Sequence, residues 1–238
     1  MPLNTANTVV SREEWLQARK RLLAEEKAFT RQRDALAEAR RKLPWERVGT
    51  DYTFEGPDGP VRLADLFDDR RQLLVYHFMF APDWETGCKS CSFWADNFNG
   101  IVAHLRQRDV SFVAISRAPL AKLQALAGRM GWSFPWVSSG ENGFNRDFAV
   151  SFTQDEVESQ APVYNYGTSR TYGIEMPGVS VFYKDDDGAI YHTYSAYMRG
   201  IDILNTAYNY LDLLPKGRDE DDLPYTMAWV RLRDEYAA

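Results

Sequence analysis

The sequence predicts an α/β fold in which a central mixed sheet is flanked by helices. Three observations predict it. Residues 72-QLLVYHFMF-80 and 110-VSFVAIS-116 are apolar on both faces, as strands covered on both sides are. Helical patterns over Ser92 to Arg108 and 119-PLAKLQALAGRMG-131 follow them, so strand, helix, strand and helix alternate as in a βαβ unit. Near the C-terminus, 178-GVSVFYK-184 and 189-AIYHTYSAY-197 form a hairpin across Asp186-Asp187-Gly188, which adds antiparallel strands.

The elements are justified in chain order. Ser11 with Glu14 three residues on makes a capping box for a long first helix, which meets no Gly or Pro until Pro44. Along it Trp15, Leu22, Phe29, Leu36 and Leu43 recur every seventh residue. That narrow stripe suits packing across its own domain or pairing with a second copy in a homodimer. Residues 44–70 are short apolar pieces punctuated by Pro and Gly, with a turn at Pro57-Asp58-Gly59 and a short helix at 63–67. Pro119 opens the helix after the second strand and Gly131 closes it. Residues 151–175 are polar, rich in tyrosine and read as a long loop, a length often found in functional lids. A last helix is expected at 201–214, and the Trp229 end of the tail is expected to dock on the domain. The organisation is thus a helical extension (1–44), one α/β domain (45–214) with an insertion, and a C-terminal extension (215–238).

Composition excludes several classes. The longest apolar run, around residues 72–82, is far too short to span a bilayer, so no membrane partner is expected. The N-terminus has neither a basic start nor an apolar segment, so no secretion signal is expected and the location predicted is cytoplasmic. Residues 11–42 carry ten Lys/Arg and six Asp/Glu, but the signs interleave along a helix. That is a solvated, salt-bridged face, not a nucleic-acid site. No Gly-rich phosphate loop occurs, so no organic cofactor is expected.

The chemistry-bearing stretch is 84-WETGCKSCSFWADNF-98, which holds both cysteines, Cys88 and Cys91. Cys88 follows a buried strand and a Pro/Gly turn and opens a helix, whose unpaired N–H groups stabilise a thiolate over a thiol. Lys89 would push the same way and Glu85 against it. Cys91, nearly one helical turn on, can reach Cys88 and close a small disulfide ring. A C-x-x-C pair within a βαβ pattern points to a thioredoxin-like redox motif. The implied chemistry is thiol–disulfide exchange with a protein or small-molecule disulfide, Cys88 as nucleophile and Cys91 resolving. In a reducing compartment a structural disulfide is disfavoured. The alternatives are two structural cysteines, or a metal site built from the pair with His77, His104 or His192, as in copper-delivery proteins of this fold; no ligand spacing supports the second, and no metal is assigned.

Several segments resemble known families. Residues 174-IEMPGVSVFYKDDDGAI-190 look like the thioredoxin segment in which a cis-proline faces the cysteine pair. That resemblance implies a cis Pro177 with the Met176 backbone offered to an extended substrate. Separately, Trp84, Tyr164 and Tyr166 are candidates to wall the site, or are plain packing. Residues 47–82 and 110–139 resemble the peroxiredoxin branch of thioredoxin-like proteins, which implies a peroxiredoxin-like variant of the fold and a thiol peroxidase as the second reading. There Cys88 would attack peroxide with Arg117 or Arg146 holding the thiolate. Peroxiredoxins place this cysteine in P-x-x-x-T-x-x-C; Pro82 and Thr86 are present, but Cys88 comes one residue early. Over nearly its whole length, through "FAPDWETGCKSCSFWADNFNG", "VAISRAPLAKLQALAGRMGWSFPWVSS", "PGVSVFYKDDDG" and "AYNYLDLLPKGRDE", the chain is similar to the bacterial family called domain of unknown function 899, described as dithiol–disulfide oxidoreductases of thioredoxin-like fold.

Overall fold

The computed structural model describes residues 8–140, 142–161 and 163–236. The reading of no secretion signal falls in part on residues 1–7 and to that extent lies outside the described residues. The chain divides into two compact units, 1–44 and 45–238.

The first unit is one helix, α1 (Arg12–Arg41), whose N-terminus carries the expected reciprocal cap between Ser11 and Glu14. Glu13 and Glu14 in its first turn and Arg40 and Arg41 in its last complement the helix dipole, and none of its side chains is buried.

The second unit is built on an eight-stranded mixed sheet. Its strands are β1 (Glu46–Arg47), β2 (Thr53–Gly56), β3 (Gly59–Arg62), β4 (Gln72–His77), β5 (Val110–Ser116), β6 (Trp136–Ser138), β7 (Gly178–Lys184) and β8 (Ile190–Tyr197), in spatial order β1-β8-β7-β4-β5-β6-β2-β3. β4, β5 and β6 run parallel; β7 lies antiparallel on the other side of β4 and continues into the hairpin with β8. The central order β8-β7-β4-β5, with helices in the crossovers, is the thioredoxin-like arrangement.

Alternation along β4 divides the interior. Tyr76 enters a cluster with Phe78, Cys91, Trp94 and Phe98, while Val75 and His77 face the other side, where Phe144, Phe148 and Phe182 pack. Both faces are covered, which is why β4 and β5 carry no Asp, Glu, Lys or Arg and the buried polar groups they do carry, His77, Ser111 and Ser116, are hydrogen-bonded.

Helix α4 (Leu120–Met130) runs from Pro119 to Gly131, whose left-handed φ of 63° ends it. Three elements differ from expectation. The helix foreseen at Ser92 to Arg108 is two, α2 (Lys89–Ala95) and α3 (Val102–Arg106). Asn97 Nδ2 donates back to the carbonyls of Phe93 and Trp94 and ends α2, and Asn99 bonds across to Gly131 and Ser133. The 151–175 segment is not wholly loop: it carries α6 (Gln154–Glu158), after α5 (Phe144–Asp147), with its own capping box from Thr153 and Glu156. The helix foreseen at 201–214 is a 3-10 segment, Met198–Leu204, followed by α7 (Thr206–Leu211), because the Asn205 side chain accepts from the Tyr208 amide and starts a new helix.

The tail packs on α2 and α7. Trp229 meets Phe93 edge to face at 5.4 Å, and Glu220 gathers the Tyr208 hydroxyl, the Met227 amide and Trp229 Nε1 at 2.7, 2.9 and 2.7 Å.

Candidate active site

The chain leaves β4 at the sheet's centre and turns directly into the cysteine loop. Ser116 Oγ donates to the Phe78 carbonyl at 2.7 Å, and the Ala118 amide donates to that of Phe80 at 2.8 Å, which ties this exit to the end of β5. Lys122, reaching over from α4, donates to the carbonyls of Pro82 and Trp84 at 2.9 and 2.8 Å and fixes the turn. Trp84 is half-buried against the core.

Met79 connects strand to helix. Its carbonyl accepts from the Cys88 amide at 3.0 Å, and its amide donates to Cys91 Sγ at 3.5 Å. Cys88 is the N-cap of α2 and half-buried; Cys91 is buried; both are free thiols.

The two sulfurs differ in acidity. A hydrogen bond from Cys91 is the largest influence on Cys88; burial opposes it, and the amides of Cys91 and Ser90 and the Ser90 hydroxyl assist, bringing the Cys88 pKa down to about 7. The Cys88 side chain closes no cap bond on the helix. Burial drives the Cys91 thiol far the other way, and its hydrogen bond to Cys88 adds to that. One proton is therefore shared unequally, with Cys91 holding it and Cys88 carrying the charge.

Several expected residues lie elsewhere. Lys89 does not tune the thiolate: its Nζ donates to the Ala228 carbonyl at 3.4 Å and lies 6.0 Å from the Tyr225 ring, because the first turn of α2 aims it at the C-terminal segment. Glu85 is exposed, and neither residue is among the main influences on Cys88. The Met176–Pro177 bond is trans, not cis. The Met176 amide is not offered outward, since it donates to the Val150 carbonyl at 2.8 Å, and the Pro177 carbonyl accepts from the Tyr164 hydroxyl. The insertion itself occupies this edge: the Phe152 amide donates to the Ile174 carbonyl at 2.9 Å, and Ser151 bridges to Glu175. Tyr164 is fully buried beside this segment, whereas Tyr166 donates to the Ser195 carbonyl on β8.

The arginines of the peroxidase reading are engaged with carboxylates. Arg117 meets buried Glu175 at 2.9 Å, and Arg146 pairs with Glu156, holding that carboxyl down at about 2. Both line a separate cavity of about 210 Å³ with Asn142 and Asn145.

The histidines also lie apart. His77 Nε2 bonds to Ser180 Oγ at 2.8 Å, Ser180 to Ser195 at 2.8 Å, and Ser195 to His192 Nε2 at 2.7 Å, while His104 is exposed on α3. Among the described residues no group of three or more His, Cys, Asp or Glu could hold a metal ion.

Three neighbours of the sulfurs were not legible in the sequence. Ser90 is one. Tyr172, from the insertion, brings its hydroxyl to 3.9 Å from Met79 Sδ and within the electrostatic reach of both cysteines. Tyr76 lies beneath Cys91. Only the alternation of β4, which puts Tyr76 and not His77 on the helix side, could have pointed to the last.

With this geometry in place, the chain can be set beside known proteins. Residues 4–236 match the family described as bacterial protein of unknown function, DUF899, and the chain belongs to it. No curated protein matches it in sequence. Similar solved structures include the peroxidoxin BcpB from Mycobacterium tuberculosis, 16% identical over 69% of this chain and 94% of that one, with a TM-score of 0.46. Peroxiredoxin Q from Xanthomonas campestris is 15% identical over 71% of this chain and 98% of that one, again with a TM-score of 0.46. The mitochondrial 2-cys peroxiredoxin from Plasmodium falciparum is 10% identical over 72% and 95%, with a TM-score of 0.42. Likeness at this level speaks to neither activity nor substrate. Among the described residues no helix is long and apolar enough to cross a membrane.

Proposed function

We propose that the protein is a thiol–disulfide oxidoreductase in which Cys88 is the nucleophile and Cys91 resolves. One observation carries this reading: Cys88 is half-buried at the head of α2, and Cys91, one turn on and buried, accepts from the Met79 amide at 3.5 Å. The lowered pKa of Cys88 and the raised one of Cys91 support it. Cys88 thiolate attacks one sulfur of a substrate disulfide, forming a mixed disulfide and expelling one substrate thiolate. Cys91 then loses its proton and attacks Cys88 Sγ. The Cys88–Cys91 bond forms, the bond to the substrate breaks, and the second thiolate leaves and is protonated. Two electrons pass from the dithiol to the substrate, and an external thiol reductant restores the pair. Run backwards, the same steps oxidise a substrate dithiol.

The peroxidase reading is weaker, since Arg117 and Arg146 pair with Glu175 and Glu156 and no cation is among the main influences on Cys88.

The test is a titration in mixtures of reduced and oxidised dithiothreitol, followed by tryptophan fluorescence. Trp94 packs in the Cys91 cluster with its Nε1 on the Ile201 carbonyl at 2.9 Å, and serves as reporter. Wild type is expected to show a two-electron transition that Cys91→Ala lacks; a wild type without any transition rejects the proposal.

A further inference from the structure

The Tyr76 hydroxyl is buried in the core without a hydrogen-bond partner among the described residues. Phenol hydroxyls at such depth are normally satisfied, and one left open costs stability. Apolar rings pack against the Tyr76 ring: Phe98 stands 4.9 Å away and Phe78 6.2 Å, centroid to centroid. After burial itself, the strongest influence on the phenol is Cys91, and next comes Cys88. Among the described residues the groups that act on the phenol are Cys91, then Cys88, then the Tyr172 hydroxyl, and of these the cysteine pair comes first.

Cys91 presents the complementary need. In the resting dithiol its proton is directed at Cys88. Once Cys88 is bonded to a substrate sulfur, that acceptor charge is gone, and Cys91 must become a thiolate while buried. Two groups favour the anion there: the Met79 amide at 3.5 Å and the Tyr76 hydroxyl. We propose that Tyr76 is the hydrogen-bond donor that holds the Cys91 thiolate during the resolving step, an inference that rests on the exchange reading above. The phenol keeps its own proton throughout. Cys91 gives its proton up to solvent, the sulfur attacks Cys88 while the Tyr76 O–H points at it, and the departing substrate thiolate takes a proton from solvent. The open hydroxyl of the resting state is then a donor waiting for a charge that exists only in mid-reaction.

Tyr76→Phe removes one oxygen from an apolar surround and keeps the ring. Reduced protein is mixed with one equivalent of an aromatic disulfide whose thiolate is coloured, in a stopped-flow instrument. The first equivalent of colour reports attack by Cys88, and the second reports resolution by Cys91. Tyr76→Phe is expected to release the first at the wild-type rate, which also shows an intact fold, and the second roughly tenfold or more slowly, with the pH midpoint of that step raised by about one unit. In a Cys88→Ser background, the alkylation midpoint of Cys91 is expected to rise on adding Tyr76→Phe. A second step unchanged in rate and midpoint overturns the role of Tyr76 and leaves the exchange reading standing. A wild type that releases a single equivalent, as Cys91→Ser does, overturns the exchange reading and this inference with it.

Discussion

Gly87 and Phe78 approach so closely that a β-carbon on residue 87 would stand 2.6 Å from the ring, and 2.8 Å from Leu126 on its other side. The residue before Cys88 is thus pressed between the segment that follows β4 and the helix α4 that covers it. Gly87→Ala is expected to lower stability by about 1–3 kcal/mol, the usual cost of overpacking, and to slow alkylation of Cys88 by displacing the loop. Urea denaturation and the iodoacetamide rate measure the two effects. Wild-type values for both would show that the loop adapts.

The acidity of Cys88 depends first on Cys91. Thiolate absorbance against pH is expected to give a midpoint near 7 in wild type. Cys91→Ala removes the principal donor and raises that midpoint, while Cys91→Ser keeps a hydroxyl and raises it less. Because the folded value lies below the ordinary 9.0, ionisation of Cys88 stabilises the reduced fold fully above pH 9, and this contribution is lost as pH falls through 7.

His77 predicts the acid limb of stability. Burial, helped by nearby His192, brings its pKa down from 6.5 to about 3, so it is neutral in the fold. The unfolded chain binds that proton below pH 6.5 and the folded one does not. Stability is therefore expected to fall by about 1.4 kcal/mol per pH unit from 6.5 towards 3, before other groups contribute. His77→Gln, which keeps a polar partner for Ser180 but does not titrate, should flatten this slope. Equal slopes in urea titrations between pH 7 and 4 would contradict the prediction.

Glu220 holds the tail through three donors. Glu220→Ala leaves Tyr208, Met227 and Trp229 without that acceptor, and a cost of about 1–3 kcal/mol is expected. Limited proteolysis is expected to cut first near 221–228 in the variant, and an unchanged digestion pattern would show that Trp229 packing on Phe93 suffices.

The parts of the fold legible in the sequence were those where one force decides. The apolar runs at 72–77 and 110–116 are strands because both faces are covered, and Ser11 and Gly131 mark helix ends by local chemistry alone. Where side chains of Asn compete for the backbone, at Asn97 and Asn205, periodicity extends a helix that the chain ends. At the site the same division holds. The position of Cys88 at a helix start follows from spacing, but Lys89 is adjacent in sequence and turned to the tail, while Tyr76 and Tyr172 are distant in sequence and close to the sulfurs. The Met176 amide could not be foreseen as occupied, because its partner Val150 comes from the far side of the insertion.

Tyr76 and His77 are neighbours in the chain, yet a sheet's thickness separates their side chains. Loss or gain of a single residue within β4 would exchange them, setting an imidazole under the thiols and a phenol among Phe144 and Phe148. Phase along this one strand is therefore as much a part of the chemistry as the cysteines are.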